Sequence, residues 1–322
     1  MHGIFTIFRK EMEDHFSSIR FLLISALIVM VGVIIASVVG MSIQEELKGI
    51  AKPTFIFLWL FTSTGKLFSF VQFIGFFGPL IGIFLGFDSI NRERVSRTLS
   101  KLVSQPIYRD SIINAKFLSG VAMITVVLVA IVLIISGLGI RLIGVVPGSE
   151  EVLRLAIYLV ISILYISFWL GISILFSVAF RSTATSALAS LAVWIFFSFF
   201  VSLGASAVAN AVAPISESAS SVNVNIVKNV QIQKTISLFS PMTLYSDATP
   251  LILNPMIQTT RPLAYALMGP MERLSISRFQ GPLPVTQSLY VVAPYMISIV
   301  AITFLCFGIC YAVFMRQEIR TI

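Results

Sequence analysis

The chain has 322 residues, 57% of them hydrophobic and 11% charged, with a mean hydropathy of +0.98, whereas soluble globular domains carry roughly 25% charged residues. It reads as an all-α, polytopic membrane protein, which excludes soluble enzymes and binding modules. The net charge of +8 and pI near 9.7 would suggest nucleic acid in a soluble chain. Here much of the excess lies in short loops beside apolar runs, where membrane orientation places it, so no nucleic-acid partner is expected.

Residues 1–20 predict an amphipathic helix lying on the cytoplasmic membrane surface. Ile4, Phe8, Met12, His15, Phe16 and Ile19 recur on one face, with Arg9, Glu11, Glu13 and Asp14 on the other. A cleavable signal would instead put an apolar core directly after its first charges. His2 and His15 are too isolated for a metal site. The first span follows at Phe21–Met41, about the 20 apolar residues a bilayer core requires. Ser42–Lys66 reads as an outer loop with Glu45, Glu46, Lys48 and Lys52 near balance. Its Thr-Ser-Thr-Gly-Lys run at 62–66 lacks the opening glycine and the closing Ser/Thr of a phosphate loop. The second span, Leu67–Phe87, carries Gly75, Gly78, Pro79, Gly82 and Gly86. These residues permit close helix approach and a bend, which makes Gly75, Gly78, Pro79 and Gly82 candidates for a subunit interface or a transport pathway.

Between the second and third spans lies a basic island, Asp88–Lys116, holding six of the chain's 22 Lys and Arg. Ile90, Val95, Leu99, Leu102 and Val103 recur at roughly helical spacing, and Arg92, Arg94, Arg97 and Lys101 fall mostly elsewhere around the wheel. Pro106 should end that amphipathic helix, with helix restarting near Arg109.

The ordered set Glu93-Arg94, Thr98-Leu99, Leu102, Pro106, Arg109 and Lys116 resembles the loop after the second span in permease subunits of type-2 ATP-binding-cassette (ABC) exporters. The resemblance implies that this segment is a coupling helix seated in a groove of a separate ATPase subunit, with Glu93, Arg94, Arg97, Thr98, Leu99, Leu102 and Pro106 at the contact. Arg97 stands where that family usually has glycine, which implies a straighter helix. The resemblance also implies a pair of permease subunits, two copies or one copy and a paralogue, in the cell membrane among its lipids. The chain itself then needs no cofactor, because ATP and Mg belong to the partner.

The third span is expected at Phe117–Ile140, the fourth from about Val152 to Phe180 and the fifth from Thr185 to about Ala211. A long outer segment, 213–288, separates them from the sixth, Leu289–Met315, and a basic tail. Within that segment Val222, Ile226, Val230 and Ile236 read as helix in preference to strand, with a stop at Ser240-Pro241. Its many prolines, from Pro241 to Pro284, rule out one long helix. The stretch Ser240–Pro255 resembles the outer-gate segment before the final span of the same permeases. The resulting organisation is an interfacial helix (1–20), five spans with the coupling loop 88–116 (21–212), an extracellular loop or gate (213–288), and the sixth span with its tail (289–322), both termini being cytoplasmic.

The spans so drawn contain no Asp, Glu, Lys or Arg except Arg154 at one end, so nothing in them can bind a coupling ion or proton. Serines at membrane depth have no neighbouring base to make a hydrolase. Cys306 and Cys310 lie one helical turn apart and read as packing residues before metal ligands. Without an energy source of its own, the chain is expected to be a non-enzymatic exporter permease driven by a partner ATPase. The alternative is a passive scaffold or assembly factor for an envelope complex.

Overall fold

The computed structural model describes residues 2–47, 55–62, 69–98, 108–214, 222–255 and 282–316. These residues form helices and no strand. In order they are α1 (His2–Phe16), α2 (Ile19–Glu46), α3 (Ile56–Thr62), α4 (Phe70–Gly86), α5 (Asn91–Val95), α6 (Arg109–Ile143), α7 (Ser149–Ala179), α8 (Thr183–Val212), α9 (Val222–Ser237), α10 (Pro241–Leu253) and α11 (Val285–Arg316). Six of them, α2, α4, α6, α7, α8 and α11, are long and apolar enough to cross a membrane, as the hydropathy pattern predicts. At about 1.5 Å per residue, the 35-residue α6 is about 50 Å long, so its polar ends project beyond a hydrocarbon layer of about 30 Å.

α7 is the centre of the molecule, packed against α4, α6, α8, α10 and α11. Its Tyr158, Tyr165 and Trp169 are fully buried. The seam with α4 is built by glycine: a methyl added at Gly82 would lie 2.6 Å from the Ile166 carbonyl oxygen, and one at Gly86 would lie 2.8 Å from Ser173 Cβ. Only a residue without Cβ lets the two backbones come this close. α2 is drawn elsewhere, since methyls at Gly32 and Gly40 would meet Ile131 and Leu142 of α6 at 2.6 and 2.8 Å.

Pro79 sits inside α4 and has no N–H, which strands the carbonyl four residues earlier, at Gly75. Tyr165 of α7 donates its hydroxyl to that oxygen at 2.8 Å. The Tyr165 ring stacks on Tyr245 of α10, with centroids 4.5 Å apart, and a methyl at Gly75 would meet the Tyr245 ring at 3.3 Å. One proline thus explains a tyrosine on a neighbouring helix. Tyr165→Phe should cost about 1–3 kcal/mol by leaving a buried acceptor unsatisfied. In a Pro79→Ala background, where residue 79 regains an N–H for Gly75, the same change should cost less than about 1 kcal/mol. Unfolding free energies of the four proteins in detergent measure the difference, and equal costs in both backgrounds would refute the account.

Two readings are revised. The expected outer loop 42–66 contains α3, whose Phe57, Leu58, Leu60 and Phe61 are completely buried against α6 and α7. The run Ile-Phe-Leu-Trp-Leu-Phe is too short to span a membrane and too apolar to lie in water, so it folds back into the bundle. The first helix is also more than an interfacial float. α1 packs on α6 with Ile7 buried, and Glu11, assigned to its polar face, is buried as well. The helix reading of the stretch from Val222 to Ile236 agrees with α9.

Candidate functional site

Buried ionic groups gather at the two ends of this apolar bundle. At the island end, α5 forms directly after α4, and its position is set by α7. The N–H groups of Ile90 and Asn91 both donate to Ser177 Oγ, at 3.0 and 3.2 Å. Arg94 reaches back to the C-terminus of α7, donating to the carbonyls of Val178 and Phe180 at 3.0 and 3.2 Å. Helix C-terminal carbonyls lack intrahelical donors and carry partial negative charge, so a guanidinium is a suitable cap there.

On its other side the island is tied to α1 and α6. Lys116 Nζ lies 2.9 Å from Glu11 Oε1 and 3.0 Å from Glu93 Oε1, and all three side chains are buried. Lys10 stands 3.7 Å from both carboxylates, and Arg92 pairs with Asp14 at 3.3 Å. Burial alone would push the Glu11 carboxyl up, but Lys116 and Lys10 hold it below the usual range. Burial also lowers the His15 imidazole, against the pull of Glu11. A lysine between two acids satisfies a charge that would otherwise be very costly to bury, and it fixes three segments to one another.

The structure places the predicted contact residues in two groups. Glu93 and Arg94 spend their side chains within the chain, on Lys116 and on α7. Arg97 and Thr98 are exposed. The straighter helix implied by Arg97 does not form. Arg97 takes φ +58°, the left-handed conformation that glycine adopts freely, and the chain turns there at a cost of about 1 kcal/mol. The expected apolar stripe is split as well, with Ile90 fully buried and Val95 75% exposed. Leu99, Leu102 and Pro106 lie outside the described residues.

At the opposite end, Arg154 is completely buried and joins five segments. It donates to the carbonyls of Ile252 (2.8 Å) and Leu283 (2.5 Å), to Ser288 Oγ (3.3 Å) and to Glu150 (2.8 Å), and it lies over the Phe55 ring. Neighbouring Glu151 accepts from the Phe57 and Gly148 N–H groups at 3.2 and 2.8 Å. Sequence reasoning put Arg154 at a span end and gave it no task. The available signal was Glu150, Glu151 and Arg154 at one-turn spacing in an otherwise apolar helix.

Between these ends lies a cleft of about 1280 Å³ bounded by α2, α4 and α10. It exists because glycine draws α4 to α7 and α2 to α6, leaving a wedge between them. Gly75, Gly78, Pro79 and Gly82 are buried in α4 toward α7 and α10, whereas the cleft is lined by Gln72, Phe73, Phe76, Phe77 and Leu80 of the same helix. Met242, Ser246 and Pro250 of α10 and Asn254 just after it, each four residues apart, form the opposite wall.

No curated protein matches the chain. A family described as ABC-2 family transporter protein matches residues 5–319, nearly the whole length, and so takes in the island, the six apolar helices and the α10 wall together. This multi-pass membrane protein therefore belongs to the ABC-2 transporter family.

Proposed function

We propose that the chain is the permease subunit of an ATP-driven exporter of the cell membrane, powered by a separate ATPase and acting as a pair of permease subunits. ATP and Mg belong to that ATPase. The observation that carries this reading is the rooting of the island. Ser177 and Arg94 fasten it to α7, Glu93 fastens it through Lys116 to α6, and Arg92 with Lys10 fastens it to α1. A push on so rooted a loop is passed to three helices at once, whereas a loop that only signals topology needs positive charge and no such anchors.

In this mechanism the exposed Arg97 and Thr98, with Leu99, Leu102 and Pro106 beyond them, meet the ATPase, while Glu93 and Arg94 hold the segment in place. The cleft admits cargo. The glycines of α4 serve it indirectly, by holding its wall against α7, and α10 is the outer gate, tied down by Arg154.

The reading requires the island and both termini to face the ATP side. Single cysteines at positions 100 and 182 (Ser100→Cys, Ser182→Cys) should resist a membrane-impermeant maleimide in intact cells, and Ser218→Cys should be labelled. Labelling of Ser100→Cys from outside would overturn the orientation and the proposal with it.

A further inference from the structure

The cleft between α2, α4 and α10 has a polarity that bears on what it can hold. Along α2 and the inner part of α4 its walls are purely apolar: Val31, Ile35, Phe76 and Leu80. Polar groups appear only toward the end away from the island, where Thr62, Ser69, Gln72, Ser246 and Asn254 meet beside Trp59. All of these are neutral, and among the described residues no Asp, Glu, Lys, Arg or His lines the cleft.

The polar end retains hydrogen-bonding capacity. Gln72, which lines the cleft, uses its side-chain oxygen to accept from the Ser69 N–H at 3.0 Å, and its NH₂ supplies a donor. Ser246 is exposed in the α10 wall and can donate or accept. Ligand sites of this kind are mostly apolar, with a few polar groups that fix orientation, and typically measure about 300–1,000 Å³ for drug-sized molecules. A volume of about 1280 Å³ is larger than that. An ionised head drawn in here would lose its water without gaining an opposite charge, a penalty that a neutral hydroxyl or amide head escapes.

We propose that the cleft binds an uncharged amphiphile, its hydrogen-bonding head at Gln72 and Ser246 and at least one long hydrocarbon chain along Val31, Phe76 and Leu80. This deepens the transport reading by naming the class of cargo, and it rests on the cleft being where cargo enters.

The test uses the full chain in phosphatidylcholine nanodiscs without an ATPase. Trp59 fluorescence is followed while brominated-chain diacylglycerol, or phosphatidic acid with the same chains, is added. Diacylglycerol should quench saturably, at concentrations at least about tenfold below those phosphatidic acid needs, and Trp59→Phe should remove the signal. Ser246→Lys, at an exposed position, should bring phosphatidic acid quenching to the level of diacylglycerol. Several outcomes would each overturn the inference. They are equal quenching by the two lipids, a linear rise without saturation, indifference of phosphatidic acid to Ser246→Lys, or protection from both lipids, the last meaning that a second copy covers the cleft. Because no ATPase is present, failure to bind leaves ATP-driven transport standing, and binding by a chain that never responds to ATP does the reverse.

Discussion

Replacing Lys116 by methionine is expected to destabilise the protein by about 3–5 kcal/mol, the largest single-residue effect on its folding. The lysine is 4% exposed and lies between two carboxylates that are themselves 6% and 5% exposed, Glu11 and Glu93. Removing it leaves two like charges facing one another out of water. Lys10 is 3.7 Å away but half exposed, and relieves only part of the penalty. α1 should then come off α6, which limited proteolysis of the purified protein would report at residues 2–16. Neutralising all three groups, with Glu11→Gln, Lys116→Met and Glu93→Gln together, should return stability to within about 1 kcal/mol of the parent, because no unpaired charge remains. If the single and triple variants melt alike, the triad is not a charge clamp.

The second large effect falls on assembly, not on folding. Changing Leu99 and Leu102 together to alanine should weaken the complex with the ATPase by orders of magnitude, since interfaces concentrate energy in a few buried anchors worth upward of about 2 kcal/mol each. Both residues follow the turn at Arg97, beyond the last anchor of the island on Lys116 and α7. The double variant should therefore insert and purify at normal yield. Co-purification with a tagged ATPase measures the loss. Normal retention of the ATPase would reduce the basic island to an orientation signal.

The spans were legible in the sequence because each is a run of apolar residues of bilayer length, and such a run has few other places to go. The helix through Val222, Ile226, Val230 and Ile236 was legible for a similar local reason, its stop at Ser240-Pro241. What escaped is non-local. The partner of Glu11 is 105 residues away, and on a helical wheel a carboxylate is assigned to the wet face unless that partner is known. Arg154 is held mainly by backbone carbonyls 98 and 129 residues distant, which have no side-chain signature. The glycines of α4 announced close packing, but which helix they would meet, and that the cleft would open on the other side, follows only once α7 and α6 have each claimed a partner. Arg97 misled for a different reason. A straighter helix was inferred from the residue type, whereas the surrounding anchors hold a left-handed turn there without glycine.

The proposed mechanism divides the labour between two proteins, an ATPase that would supply the energy and this chain that would supply the path. ATP hydrolysis measured on the purified chain alone, and on the chain reconstituted with its ATPase in proteoliposomes, tests that division most directly. No hydrolysis above background is expected for the chain alone, and hydrolysis accompanied by ATP-dependent movement of cargo for the pair, lost on changing Leu99 and Leu102 to alanine. Hydrolysis by the chain alone, or cargo movement that proceeds without ATP and without the partner, would contradict the proposed mechanism.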